Sequence, residues 1–484
     1  MNAAQRQKFI LKLFPEIMIK GSSVKRKMVG QLYANLVKLL QPIDADIAVK
    51  KFSDKLEVFA PTAYLPEVRQ RLLDTPGIEK ILEVRQFDGI DTLDAIKEKT
   101  GRVVADSLAG KTFAVRAKRS GTHAFTSIDI ERGVGGYLLA HSDAKGVRLK
   151  NPDVTVRLEY IDRQLNIVTA SYPGLSGFPL GTQGDVLSLM SGGFDSTVAS
   201  YLSIKRGIKT HFVFFNLGGD AHEIGVKQVA LYLWSRFAAS HRVQFVTVDF
   251  EPVLAEIFRT VPPSYMGVML KRLMLAAAER VAEKLGIDAL VTGESVAQVS
   301  SQTLRNLALI DQATGKLVLR PLAMMNKPEI IAIAESIGTR RFAESMPEYC
   351  GVISQNPVTH GSFSRLERVA RNFDDAVLHR AADAAQYLDI DAVAEDIGTH
   401  TAVETVSDLS ADDYTVIDIR ATDTPIETDA ETLNIPFYEL KKAFKTLPKD
   451  KKYLLYCDKG IMSRLHAQYL KDAGICEDIK IYRP

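Results

Sequence analysis

The stretch Ser191-Gly192-Gly193-Phe194-Asp195-Ser196 constrains this chain more than any other. Residues 186–190 before it form a short apolar run of strand length, and residues 197–202 after it read as a helix start. Two adjacent glycines between a strand and a helix let the backbone turn tightly and approach a ligand. The helix start presents unsatisfied N–H groups and the positive end of a dipole. Ser191 and Ser196 add hydroxyls, so the stretch reads as a cradle for phosphate oxygens. Asp195 repels a phosphate, a conflict that a bridging Mg²⁺ would remove. The common phosphate loop, Gly-x4-Gly-Lys-Ser/Thr, is a different pattern.

The Ser-Gly-Gly-x-Asp-Ser pattern resembles the pyrophosphate loop of the ATP pyrophosphatases. That resemblance implies a loop that holds the β and γ phosphates of ATP while an acceptor attacks the α phosphorus. Downstream, the patterns at 211–216, 225–239, 243–250, 271–285 and 289–292 alternate between strand and helix. Such alternation predicts a parallel sheet with helices on both faces, and the loop at the C-terminal edge of its first strand.

A chain of 484 residues is too long for one core and predicts several domains. No stretch approaches the length of an apolar membrane span, so no membrane partner is expected. The first residues carry no apolar signal region, and a cytoplasmic location is expected. Three cysteines do not make a disulfide scaffold and, in a reducing compartment, are either core fillers or chemistry. The net charge of +2 is unevenly spread. Residues 1–180 carry 28 Lys+Arg against 20 Asp+Glu, and the remainder 33 against 39. A basic first half predicts a polyanionic partner.

Within that half, strands at 9–14, 55–59 and 81–85 and helices at 20–40 and 65–73 suit a ferredoxin-like α+β unit. A helix at 92–108, a strand at 111–118, a helix at 127–139 and a hairpin, 154–160 with 165–170, follow. Lys111, Arg116, Lys118 and Arg119 cluster around one strand, and Arg132 lies on the next helix. The runs 115–119, 127–132 and 151–154 resemble the THUMP domain of RNA-modifying enzymes, which implies binding to structured tRNA through phosphate contacts. Residues 172–184 read as a linker, 354–391 as a charged helical extension and 400–413 as a second, acidic linker.

The last stretch reads as a small α/β unit with strands at 416–420 and 453–456 and a helix at 464–471. Cys457 follows the second strand and precedes the helix, a setting that favours a thiolate. Asp418-Ile419-Arg420 and Cys457-x-x-Gly resemble a rhodanese domain, whose cysteine carries a persulfide. Cys350, in Met346-Pro347-Glu348-Tyr349-Cys350-Gly351, has a less telling context, and Cys476 reads as structural.

The three parts in this order resemble the tRNA 4-thiouridine synthetases, also called tRNA uracil 4-sulfurtransferases, in their long form. The resemblance spans the chain and implies four domains: a ferredoxin-like 1–66, THUMP 67–171, a pyrophosphate-loop adenylation domain 172–400 and a rhodanese-like 401–484. It implies ATP contacts from Leu189, Met190, Ser191, Gly192, Gly193, Asp195, Ser196, Lys271, Gly293 and Gln302, with Lys327 as a pocket cation and Mg²⁺ at Asp195. A Cys457 persulfide would deliver sulfur to an adenylated uridine at position eight of tRNA, with Cys350 as its disulfide partner. A cysteine desulfurase donor and a sulfur-carrier protein of thiamine thiazole synthesis are the implied protein partners. A small-molecule ligase or amidotransferase, or an RNA-binding sulfur carrier without adenylation, are the alternatives. The first would leave the basic half idle, and the second would leave the intact loop unused.

Overall fold

The computed structural model describes residues 6–121, 123–217, 220–345 and 356–393. Beyond these it describes 403–407, 414–420, 430–435, 440–449, 451–457 and 474–483, with isolated positions between them. The chain divides into two units, Met1–Thr182 with Lys205–Gly207, and Gln183–Ile204 with Ile208–Pro484.

The first unit is built on one eight-stranded sheet. Its order is Ala48–Lys51, Lys55–Pro61, Arg6–Leu13, Ile78–Phe87, Gln164–Pro173, Val154–Ile161, Thr112–Ser120 and Gly146–Val147. Phe9, Ile10 and Leu11 are all fully buried, as a strand covered on both faces requires. The helices Ser22–Leu40 and Leu65–Leu73 bury Leu32, Leu36, Val68 and Leu72 against Phe9, Leu11, Val58 and Ile81. The helix at 65–73 and the strand Ile78–Phe87 therefore contribute to the first core. A second core forms where the helices Leu93–Val104 and Ser127–His141 place Ile96, Ile130, Val134 and Leu138 on Phe113, Val115, Leu158 and Ile167. Thr126 and Asp129 close the start of the latter helix as a reciprocal capping box. Asp162 and Arg163 both adopt positive φ, 47° and 66°, and turn the expected hairpin tightly.

Antiparallel pairing of Ile78–Phe87 with Gln164–Pro173 makes the two lobes one sheet. A buried lysine spans the same seam. Lys8 Nζ lies 3.0 Å from Glu57 Oε2, 2.8 Å from Gln86 Oε1 and 3.3 Å from Asn166 Oδ1, so one ammonium reaches three other strands. Burial pushes the Lys8 pKa down, against the pull of Glu57.

In the second unit a six-stranded sheet runs in the order Leu317–Leu319, Ala289–Val291, Asp185–Leu189, Lys209–Asn216, Gln244–Asp249 and Gln386–Asp389. The first five strands are parallel and the last is antiparallel. One face packs Leu187, Val213 and Val246 with Val253, Ile257 and Leu270. The other packs Val186 and Val291 with Val198, Leu322 and Ile330. Asp185–Leu189 sits between Lys209–Asn216 and Ala289–Val291, the first and third strands after it in sequence, so the winding reverses at its C-terminal end, where such sheets open a crevice. The segment expected to be helical over 354–391 differs. It contains the helices Phe363–Ala370 and Asp375–Asp383, then the strand Gln386–Asp389, which satisfies the edge of Gln244–Asp249.

A separate five-stranded, all-parallel sheet follows in the order Thr405–Val406, Ile479–Tyr482, Lys452–Tyr456, Tyr414–Asp418 and Glu431–Asn434. Residues 405–406, expected within a linker, pair with its edge. Of the helix expected at 464–471, residues 466, 467, 470 and 471 are described and are helical. Among the described residues no helix is long and apolar enough to cross a membrane.

Removing one partner of a buried ion pair leaves the other charge uncompensated. Lys8→Ala should therefore lower the stability of the first unit by about 2–3 kcal/mol, with Lys55 still holding Glu57. Lys8→Met combined with Glu57→Gln should cost less than Lys8→Ala alone. Native-state hydrogen exchange in Arg6–Leu13 and Ile78–Phe87 would measure both; equal losses would show that the pair carries no such penalty.

Candidate active site

The strand Asp185–Leu189 ends at Met190, whose N–H donates to Val213 O (2.8 Å), and the chain then turns through Ser191. Gly192 has φ +78°, a conformation that a side chain resists. The helix starts at Phe194, earlier than expected, so Asp195 and Ser196 belong to its first turn. Ser191 N–H donates to Ser196 Oγ (3.1 Å), and the two hydroxyl oxygens lie 3.0 Å apart. Ser196 is thus a brace for the loop as well as a hydroxyl at the cradle. His222 Nε2–H donates to Ser191 O (3.1 Å) from behind, and burial holds its pKa below the usual value.

Two further segments, 292–303 and the start of the helix Lys327–Ser336, converge on this turn. Lys327 Nζ is 2.8 Å from Asp195 Oδ1, and Gln298 Nε2 donates to Asp195 Oδ2 at 2.8 Å. Gly293 lies against the loop itself. A Cβ there would come within 2.5 Å of Asp195 C and 2.6 Å of Ser196 N, both backbone atoms. Gln302 is only 7% exposed, and its buried Oε1 accepts no hydrogen bond from the described residues. An acceptor left in that state is costly unless a donor arrives from elsewhere. Lys271, expected to face phosphate, binds Glu294 Oε1 instead (2.9 Å), and Arg320 Nε binds Glu294 Oε2 (2.8 Å). Burial opposes ionisation of Glu294, but Lys271 and Arg320 outweigh it and hold the carboxyl below its ordinary pKa. Lys271 is therefore half of a buried, charge-compensated platform beside Gly293. Leu189 and Met190 lie at the strand end, as expected.

Gln298 and Arg320 were not singled out by the sequence reading. Gln298 and Glu294 lie between the expected Gly293 and Gln302, but their partners are 23 to 103 residues away in sequence. Only the folded crevice brings them together.

In the C-terminal sheet, Cys457 follows the strand Lys452–Tyr456. Its Sγ accepts the Ser463 N–H (3.4 Å) and lies 3.5 Å from Ser463 Oγ. On the neighbouring strand, Asp418 is paired with Tyr456 in register. Asp418 binds Arg420 through both oxygens, with Nη2 to Oδ2 at 2.8 Å and Nε to Oδ1 at 3.0 Å, and the guanidinium lies over the Tyr456 ring. Asp418, Arg420 and Cys457 thus share the C-terminal edge of parallel strands. Burial pushes the Cys476 thiol up in pKa, and its side chain packs on the apolar core of this sheet. Cys350 lies outside the described residues.

The five candidate cations of the first unit divide. Arg116 and Lys118 are exposed on the sheet face opposite to Phe113 and Val115, which carry the helix with Arg132. Arg132 is exposed on that helix, and Arg119 alternates to its side, donating to Gly121 O. Lys111 donates to Ser107 O.

The close approach at Gly293 makes a sharp prediction. Gly293→Ala must displace the backbone of Asp195 and Ser196, so affinity at the expected ATP site should fall by about tenfold or more, a shift of roughly 1.4 kcal/mol. Equilibrium ATP binding together with a thermal melt checks this; unchanged affinity would show that the loop yields freely. A second prediction concerns acid. The contribution of Glu294 is complete above its unfolded pKa near 4.5 and disappears as pH falls through the lowered native value. Glu294→Gln should therefore be destabilising at neutral pH and should flatten the acid limb of the stability–pH curve below about 4.5. An unaltered acid limb, followed by urea unfolding, would contradict it.

Comparison with known proteins now bears on these sites. The thiamine biosynthesis protein (ThiI) family model matches residues 181–374, and the THUMP domain model matches 91–169. The tRNA sulfurtransferase of Aeromonas hydrophila subsp. hydrophila is 50% identical over 484 residues, covering 99% of this chain and 100% of the relative. That of Shewanella piezotolerans is 49% identical, with 99% and 100% covered. Among solved structures, a 4-thiouridine synthetase–RNA complex with bound ATP superposes with a TM-score of 0.71 at 25% identity, covering 80% of this chain and all of that one. Near-identical length and half-identical sequence from end to end leave one conclusion: the chain belongs to the tRNA sulfurtransferase family.

Proposed function

We propose that this protein uses ATP to replace O4 of the uridine at position eight of tRNA with sulfur. The observation that carries the reading is the intact loop at the winding reversal of the parallel sheet, with Lys327 and Gln298 on its Asp195. The ATP-bound 4-thiouridine synthetase complex, alike over its whole length, supports it. ATP lies with its phosphates on the N–H groups and hydroxyls of 191–196, and Gln302 accepts from the base or ribose. Lys327 trades Asp195 for phosphate oxygen. A Mg²⁺ ion fits Asp195 as a companion of ATP: one carboxylate suffices when phosphates supply the other ligands. Among the described residues no group of three or more His, Cys, Asp or Glu offers a protein cage. When bound, the ion supplies positive charge to the departing pyrophosphate.

O4 of uracil attacks the α phosphorus, pyrophosphate leaves, and O4 becomes part of an AMP leaving group. The rhodanese-like unit then presents a persulfide on Cys457, charged by a cysteine desulfurase. Its Ser463 N–H and hydroxyl stabilise negative charge on Sγ. The terminal sulfur replaces AMP at C4 by direct attack or as released sulfide. In either route the Cys350 thiolate attacks Cys457 Sγ, and a Cys350–Cys457 disulfide remains for a reductant to open. Cys476 takes no part. A sulfur-carrier protein of thiamine thiazole synthesis is the second acceptor, and the whole cycle runs in the cytoplasm. The ferredoxin-like domain, expected at 1–66 and extended to about residue 87 by the packing of 65–73 and 78–87 on its core, and the THUMP domain hold the tRNA through Lys111, Arg116, Lys118, Arg119 and Arg132. The adenylation domain then runs to about 400 and the rhodanese-like domain to the end.

Asp195→Ala should abolish tRNA-dependent pyrophosphate release while tRNA affinity stays within about threefold, because the basic surface lies in the other unit. Cys457→Ser should release pyrophosphate at the wild-type rate but form no 4-thiouridine. Nucleoside mass spectrometry and a pyrophosphate assay separate the two steps. Pyrophosphate release unaffected by Asp195→Ala would refute the loop's role, and 4-thiouridine from Cys457→Ser would refute the persulfide.

A further inference from the structure

The segment that carries Gln298 and Gln302 has an outer side as well. At Ala297 the chain takes φ +66°, a left-handed conformation that a non-glycine residue holds only under constraint. Ala297 N–H donates to Gln302 O, and Val296 N–H donates to Ala323 O, so the turn is held at both ends. Its effect is to send Gln298 inward to Asp195 and leave Val296 and Ala297 as one wall of an open groove of about 750 Å³. The rest of the lining is Thr303, Leu304, Arg305 and Ala308 at the start of the helix Leu304–Asp311, with Thr359 and His360. Leu304 is 68% exposed, an unusual state for a large apolar side chain beside a reaction site.

We propose that this groove receives the target nucleotide of the tRNA, extruded from its stack, with the uracil ring against Leu304 and its phosphate toward Arg305. This deepens the functional reading above and rests on it. Three observations favour a nucleotide. The groove is built on the turn that also reaches the loop: Val296 and Ala297 line it, and Gln298, next in the chain, touches Asp195, so a base lying here is close to the expected ATP site. Direct attack by O4 allows no separation between acceptor and nucleotide sites. The lining combines aliphatic side chains with Thr303, Thr359, Arg305 and His360 and contains no carboxylate, which suits the flat face and phosphate of one nucleotide. Finally, a groove of this size has room for a single nucleotide, while a duplex or a helix needs a far longer surface. Arg305 is held in place by its Nε–H bond to Gly361 O (3.0 Å), which fixes the guanidinium at the rim.

Leu304 is exposed and opens its helix, so replacement leaves the core untouched, and an acidic residue there suits the helix dipole. Full-length Leu304→Asp and Leu304→Ser would be compared with wild type for ATP affinity, tRNA affinity and single-turnover pyrophosphate release. A tRNA with 2-aminopurine in place of the target uridine, whose emission rises on unstacking, reports extrusion. Wild type should raise the emission. Both variants should slow tRNA-dependent pyrophosphate release by about tenfold or more, the size of one lost base-stacking contact, and suppress the emission rise. Their affinities for ATP and for whole tRNA should stay within about threefold, because the loop and the basic unit are intact. Normal pyrophosphate release and emission from both variants would overturn the groove assignment alone. Normal pyrophosphate release with failed 4-thiouridine formation would also overturn it, and would mark the groove as a docking face for the sulfur-carrying unit. Absence of tRNA-dependent pyrophosphate release from wild type would instead overturn the functional reading on which the proposal stands.

Discussion

The close approach of Gly293 to the peptide between Asp195 and Ser196 is the constraint on which the proposed site depends. Two parallel strands, Asp185–Leu189 and Ala289–Val291, end side by side, and the chains leaving them must pass within van der Waals contact. Without a side chain at 293, the first turn of the helix Phe194–Lys205 seats on the adjacent strand end. Ser196 Oγ then braces Ser191 from within the loop, and His222 fixes Ser191 O from outside. A phosphate cradle made of backbone N–H groups has little energy of its own to hold its shape. Rigidity comes from these contacts.

Charge at the site is distributed in two tiers. Glu294 sits in the buried tier, where a lone carboxylate would be expensive, and two cations from distant segments, Lys271 and Arg320, compensate it. Asp195 sits in the outer tier, balanced by Lys327 and by the amide of Gln298. The buried triad anchors position 294, and so helps hold Gly293 next to the loop. The outer pair is accessible and can exchange partners when an anion arrives. Separate tiers let one part of the site stay rigid while the other responds to a ligand.

The C-terminal sheet repeats this logic on a smaller scale. Its parallel strands bring Asp418, Arg420 and Cys457 to one edge, because Asp418 and Tyr456 are register partners and the chemistry-bearing residues follow immediately. The bidentate Asp418–Arg420 pair spends its charge internally and stacks over Tyr456, which leaves the Ser463 N–H to face the sulfur.

Much of this was legible from sequence. The loop, the helix at Leu65–Leu73, the turn at Asp162–Arg163 and the strand before Cys457 are set by local periodicity and turn chemistry, which act between near neighbours. The short strands Ala48–Lys51, Leu317–Leu319 and Gln386–Asp389 were not, because three or four residues carry too little periodicity and exist as strands only through a partner far along the chain. The strands Ile78–Phe87 and Gln164–Pro173 were legible, but their pairing, which makes two lobes one sheet, joins residues about 80–90 positions apart and has no local signal. Lys271 shows the limit most clearly. Its sequence setting says that a cation lies in the nucleotide-binding half of the chain. Only the fold decides that its ammonium meets Glu294, 23 residues on, because burial of that carboxylate is a property of the packed crevice and of no local stretch.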